Sequence, residues 1–203
     1  MNEKYKDVGK WVKKKNKKKK KIKHMEIGYN DGTFLKNIKN DCHIGVEPSK
    51  SVHDIAIKKK INSKNKFFDS SFAKDLSKKK IKFDVIMGSN VICHIPDQNI
   101  LIKNIKTILD DHGMFVFEEP YLGAMYKKVS YDQIYDEHIY MFSATSIKRI
   151  YEKHNLRLVD AITQNTHGYR WYTYCTDDDS IRVRIGVMRI SRQKKQRECR
   201  GKT

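Results

Sequence analysis

The chain has 203 residues, enough for one ordinary domain with a substantial buried core. Its formal charge of +19 suggests a nucleic-acid binder until the charge is located: residues 1–24 carry +10, residues 182–203 carry +8, and the 157 residues between them carry +1. Charge confined to the ends excludes a basic groove across the domain, and no apolar run approaches the roughly 20 residues of a membrane span.

Cys42, Cys93, Cys175 and Cys199 are scattered without a Cys-x-x-Cys pair, so neither a zinc knuckle nor a disulfide framework is indicated and no metal is expected. With no signal peptide ahead of the domain, the expectation is a reduced, cytoplasmic protein.

Lys13 to Lys23 is almost unbroken lysine, which repels itself and predicts a solvated, disordered segment over residues 1–21. Such a run attaches loosely to acidic surfaces. Without interleaved aromatics it gives no expectation of specific nucleic-acid binding. At the other end, six arginines fall in the last 22 residues although none precedes Arg149. That shift predicts a basic tail over residues 177–203, appended to a domain at 22–176.

Within the domain the apolar pattern predicts strands at 22–27, 41–46, 65–68, 82–88, 113–118 and 156–163. Helices are expected at 32–40, 49–60, 71–78, 97–109 and 143–154, with Pro48-Ser49 and Pro96-Asp97 as helix starts. The alternation implies an α/β fold, a Rossmann-like, doubly wound and mostly parallel sheet covered by helices on both faces.

The first turn reads Glu26-Ile-Gly28-Tyr-Asn30-Asp31-Gly32, and Glu47 stands 19 positions beyond Gly28 at the end of the second strand. Strand, glycine turn, helix, then a strand ending in an acid is how such sheets hold an adenosine-type cofactor. Glu47 would accept hydrogen bonds from two ribose hydroxyls; the plain alternative is an ordinary turn with a chance carboxylate. A dinucleotide site wants Gly-x-Gly-x-x-Gly so that a helix N-terminus can meet a pyrophosphate. Here Asp31 crowds that place and would repel phosphate. S-adenosylmethionine (SAM) has a sulfonium and an ammonium and no phosphate, which favours SAM over NAD. The expected cofactor set is Glu26, Gly28, Asn30, Asp31, Gly32, Glu47 and Asn90.

Asn90 and His94 follow the fourth strand, and each either faces the ligands or caps its loop. Asp111-His-Gly113 reads as a turn launching the fifth strand. Residues 119–142 then break the rhythm with Tyr121, Tyr126, Tyr131, Tyr135 and Tyr140. Long inserts at the carboxyl edge of a parallel sheet build the substrate side of a site. Tyr135-Asp-Glu137-His138 puts a phenol, a carboxylate and an imidazole within four residues. An imidazole titrates near neutral pH, and a carboxylate beside it would orient one ring nitrogen. The segment is either a proton-abstracting group or an aromatic loop packed on the sheet edge.

From Glu26 to about Tyr172 the chain resembles the methyltransferase core of the SAM-dependent sugar C-methyltransferases, which act on nucleotide-bound keto-deoxysugars. The segments that carry the resemblance are Glu26–Leu35, Gly45-Val-Glu-Pro-Ser49, Asn90-Val-Ile-Cys-His-Ile-Pro96, Gly113–Tyr121, Tyr131-Asp-Gln-Ile-Tyr-Asp-Glu-His138, Phe142–Lys148 and Thr166-His-Gly168. It implies the class I SAM-dependent methyltransferase fold, His138 as the base that removes a proton from the sugar carbon, and Tyr135 and Glu137 as its helpers. Tyr121, Tyr131 and His167 fall on the substrate side.

The family's cysteine-rich N-terminal zinc-binding domain and its C-terminal α/β domain have no counterpart in this sequence, so the expectation is a fragment, a core that depends on a partner subunit, or a reduced relative. After Thr166-His-Gly168 the chain departs from the family with Tyr169-Arg-Trp171. Two other readings are carried: O-methylation of a small molecule or saccharide, and a degenerate methyltransferase domain acting as a basic nucleic-acid-associating module.

Overall fold

The computed structural model describes residues 21–30, 32, 35, 42–129, 132, 134–163 and 170–176. The expected disordered segment, the C-terminal tail, most of the helix at 32–40, and Asp31, Tyr131 and His167 lie outside the described residues.

Among the described residues seven strands form one sheet: β1 (Lys23–Ile27), β2 (Cys42–Val46), β3 (Ser63–Lys64), β4 (Phe83–Ser89), β5 (Leu109–Pro120), β6 (Arg157–Thr163) and β7 (Arg170–Thr176). Their order is β3-β2-β1-β4-β5-β7-β6. The pairs from β3 across to β5 are parallel, while β7 runs antiparallel between β5 and β6. The chain therefore winds outward from β1 in one direction, then returns to β4 and winds the other way. That reversal opens a crevice at the carboxyl ends of β1 and β4, where open α/β sheets bind ligands. The fold is the class I methyltransferase type that the resemblance implied.

The helices are α1 (Lys50–Lys58), α2 (Ser70–Lys78), α3 (Gln98–Ile108), α4 (Leu122–Lys128) and α5 (Ala144–Glu152). Alternation along the central strands shows why both faces need them. On β4 and β5, Ile86, Phe115 and Phe117 point to one apolar cluster with Ile102, Ile105, Ile147 and Tyr151. Val85, Met87, Met114 and Val116 point to a second cluster with Tyr29, Ala56 and Ile61. Period-two side chains that are apolar on both faces demand a sheet covered on both sides. Phe115, Phe117 and Tyr151 stack on one another, with ring centroids 5.0–6.1 Å apart.

The helix starts follow capping chemistry. Asp69 and Asp97 accept the N–H groups of Phe72 and Ile100 at 2.8 and 2.9 Å. Ser143 and Ser146 form a reciprocal capping box. Ser49 stands at the N-cap of α1 without a side-chain hydrogen bond to the helix backbone.

Three local features differ from the pattern expected. The third strand is only Ser63–Lys64; the chain beyond it leaves the sheet and leaves Phe67 71% exposed. Asp111-His-Gly113 is not a turn before β5 but part of a wide irregularity inside it, because Phe83 pairs with Leu109 whereas Val85 pairs with Met114. The strand β7 was not expected at all. Its run of aromatic and β-branched residues favours pleated strand, but no clean alternation marks it. Within the insert, α4 forms, and Tyr121 bridges to Phe142. Among the described residues no helix is long and apolar enough to cross a membrane.

Candidate active site

The carboxyl ends of β1, β2 and β4 surround a cavity of ≈ 810 Å³, walled by Ile27, Gly28, Val46, Pro48, Val91 and the start of α2, and reaching His94. Gly28 holds the floor with φ +62°, and a Cβ there would lie 2.8 Å from Val91 Cγ2. Only glycine adopts that backbone without strain while leaving the wall in place. Gly32, at φ +74°, and Asn30, at φ 51°, complete a turn with three left-handed residues. Glycine at 28 and 32 is therefore explained by backbone geometry.

Glu47 sits between the wall residues Val46 and Pro48, half-buried, with Oε1 accepting the Ser49 N–H at 3.0 Å. Its second oxygen is left for another donor. Asn90 has φ 53° and donates its N–H to the Glu118 carbonyl at 2.8 Å. Its Oδ1 is a buried acceptor with no hydrogen-bond partner, next to the wall residue Val91. Glu26 is buried within β1, in register with Gly45 and Met87, rather than in the turn itself. Of the expected cofactor set, Gly28 lines the cavity, Glu47 and Asn90 are next in sequence to wall residues, and Glu26, Asn30 and Gly32 are not among the lining residues. Sequence reasoning overlooked Phe67, Phe68, Asp69, Ser70 and Ser71, which close one side. Their only signal was the helix start at Asp69.

The second half of the site comes from the insert. His138 is 8% exposed, and its Nε2 lies 2.6 Å from the Tyr135 hydroxyl. The two rings overlap, with centroids 3.9 Å apart. A turn brings them together, closed by the His138 N–H donating to the Tyr135 carbonyl at 2.9 Å. Glu137 departs from the expected geometry. It is exposed, and its backbone carbonyl accepts a hydrogen bond from His94 Nδ1 at 2.6 Å. His138 Nε2 is thus held by a phenol, and Glu137 is exposed. The same turn that joins residues 135 and 138 leaves residue 137 facing solvent.

His94 joins the two halves. It lines the cavity, and its ring stands 5.0 Å from that of His138. The loop that carries it is clamped from three directions. Gln98 donates to the carbonyls of Ile92 and Ile95 at 2.9 and 2.8 Å. Tyr140 contributes its N–H to the Cys93 carbonyl and its hydroxyl to that of Pro96. Glu119, fully buried at the end of β5, accepts the N–H groups of Val91 and Ile92 at 3.1 and 2.7 Å. Burial pushes the Glu119 carboxyl up to about 7, against the opposing pull of hydrogen bonds from the Cys93 thiol and from backbone N–H groups. Tyr121 is partly buried and packs against the core at the base of the insert.

Residues 2–161 match the family described as a methyltransferase domain. The chain belongs to the methyltransferase domain family. It is 27% identical over 146 residues to the C-methyltransferase NovU of Streptomyces niveus, covering 71% of this chain and 35% of that protein. The chain thus spans about a third of the length of that relative.

Solved methyltransferases share the fold at low identity. Magnesium protoporphyrin IX methyltransferase from Synechocystis PCC 6803, with bound SAH, superposes with a TM-score of 0.65 at 13% identity, covering 87% of this chain and 83% of that one. N-methyltransferase NodS from Bradyrhizobium japonicum WM9 gives a TM-score of 0.61 at 14% identity, covering 85% and 93%.

Proposed function

We propose that this methyltransferase binds SAM in the β1–β4 crevice and methylates a carbon next to the carbonyl of a nucleotide-linked keto-sugar. The residues fit the cofactor. The cavity walls are apolar, Gly28 leaves room for close approach, Glu47 keeps a carboxylate oxygen for ribose hydroxyls, and the buried Asn90 Oδ1 lacks a donor. When bound, SAM supplies an electrophilic methyl group.

The observation that carries the substrate reading is the Tyr135–His138 pair beside His94. Methylation at carbon needs a base, because the carbon must lose its proton before it can attack. A phenol hydrogen-bonded to one imidazole nitrogen fixes the ring. In the tautomer with Nε2–H donating to the phenol oxygen, Nδ1 carries the lone pair that takes the proton. Tyrosine hydroxyls in the insert stabilise the oxyanion that develops on the substrate. Resemblance to the sugar C-methyltransferases over Tyr135-x-Glu-His138 supports the substrate class, and the likeness to the C-methyltransferase NovU supports methylation at carbon.

The test is exchange of the acidic sugar proton with deuterated water, followed by NMR on a keto-sugar nucleotide without SAM. The wild-type protein should catalyse it. Methyl transfer to oxygen requires no such exchange, so methylation of an acceptor without exchange would move the reaction to the O-methyl class.

A further inference from the structure

Cys93 and His94 lie in a short 3-10 turn after β4 and His138 lies in the insert, yet each offers a ligand atom within 4.8 Å of the other two. Their chemistry is that of a zinc site: one thiol and two imidazoles, with no hard oxygen donor among them. We propose that Cys93, His94 and His138 form a binding site for a thiophilic divalent cation, zinc by preference, whose occupancy silences His138 as a base. The inhibitory part rests on the functional reading above; the binding site does not.

Two features point to metal rather than to a chance cluster. A ligating imidazole needs its second nitrogen held by an outer partner, which fixes the ring and its tautomer. Both histidines have that partner. His94 Nδ1 donates to the Glu137 carbonyl, which can only accept, so Nε2 keeps the lone pair. His138 Nε2 is held by the Tyr135 hydroxyl. The loop bearing Cys93 and His94 is also fixed before any metal arrives, by Gln98, Glu119 and Tyr140. Tetrahedral zinc with bonds of about 2.0–2.3 Å sets its ligand atoms about 3.4–3.6 Å apart, so closing the triad takes small side-chain rotations. Three protein donors leave a fourth position for water.

Binding draws the Cys93 thiol from its hydrogen bond to Glu119, converts it to a thiolate and releases its proton to solvent, so affinity falls as pH falls. A neutral imidazole has one basic lone pair. With that pair on the metal, His138 cannot accept a proton from substrate. No spacing in the chain signals the site, because Cys93-His94 and His138 lie far apart in sequence and meet only through the insert.

The experiment uses the full chain, stripped with a chelator and titrated with cobalt(II) as a spectroscopic probe, then with zinc. The expected result is one cobalt per chain with tetrahedral d–d bands and a thiolate charge-transfer band, all displaced by zinc. Cys93→Ser should lose the charge-transfer band, and His94→Ala should weaken binding at least about tenfold. Because Cys93 is fully buried, far-UV circular dichroism checks that its variant folds, and His94→Ala decides the matter if it does not.

An octahedral, charge-transfer-free cobalt spectrum in the wild type, or undiminished binding in His94→Ala, would overturn the site. Zinc should also suppress deuterium exchange in the wild type and do so at least about tenfold less potently in Cys93→Ser, each measured against its own metal-free rate. Cobalt binding by the triad without exchange in the metal-free protein would sink the base assignment alone. Exchange that persists in a zinc-saturated wild type would sink the inhibitory role.

Discussion

The Tyr135 hydroxyl and His138 Nε2 lie 2.6 Å apart, although Tyr135 is 46% exposed and His138 only 8%. A buried imidazole is thereby connected through one phenol to the open face of the insert. If this pair removes the substrate proton, replacing His138 with Ala should leave SAM affinity unchanged and lower turnover by roughly 10²–10⁴. Tyr135→Phe keeps the ring and loses the hydrogen bond, so its effect should be smaller and should move the pH profile of the exchange reaction. Calorimetry and proton-exchange NMR on both variants check this. Equal exchange rates in His138→Ala and the parent place the base elsewhere.

The Glu47 carboxylate has one oxygen on the Ser49 N–H, and the residue stands between the wall residues Val46 and Pro48. A charge-assisted hydrogen bond contributes about 1.5–3 kcal/mol, so Glu47→Ala should weaken SAM binding by at least about tenfold. Because the Ser49 contact opens α1, circular dichroism should accompany the titration. An unchanged dissociation constant in a folded variant removes Glu47 from the ribose.

The sheet was legible because its signals are local and physical. The central strands are apolar on both faces, and Asp97 and Ser143 announce α3 and α5 through capping chemistry. The strand β7 was not legible, because an antiparallel partner between β5 and β6 is a tertiary fact. The same distinction holds in the site. Gly28 and Glu47 follow from spacing along one βαβ unit. The proximity of His94 to His138, and the turning of Glu137 to solvent, depend on how a long insert folds back over a clamped loop. The sequence places Glu119 at the start of the insert; the structure puts it, buried, in β5, and only its contacts with Val91 and Ile92 reveal that it anchors that loop.

Gly28 tests the cradle. Alanine at φ +62° carries about 1–2 kcal/mol of left-handed backbone strain, and its Cβ would meet Val91 Cγ2 at 2.8 Å. Gly28→Ala should lower stability and weaken SAM binding together. Adding Val91→Ala should restore the steric part and leave the backbone part, so urea unfolding of the double-mutant cycle should show coupling. Strict additivity would mean that Val91 does not define this wall.

Glu119 makes stability depend on pH in a direction opposite to that of most carboxylates. Its carboxyl is pushed up to about 7 by burial, above the ordinary 4.5, so between those values the folded protein holds a proton that the unfolded chain has released. The stabilisation is fully present below the unfolded value and is lost as pH rises from there through about 7. Glu119→Gln keeps an acceptor for the Val91 and Ile92 N–H groups and cannot ionise. A tenfold change in proton affinity corresponds to about 1.36 kcal/mol, so relative to the parent the variant should gain about 1–3 kcal/mol between pH 5 and pH 8. Urea unfolding of both proteins at the two pH values measures this, and groups common to both cancel in the difference. A difference that stays constant with pH would mean that Glu119 titrates alike in the folded and unfolded chains. Its hydrogen bonds to the loop would then offset its burial.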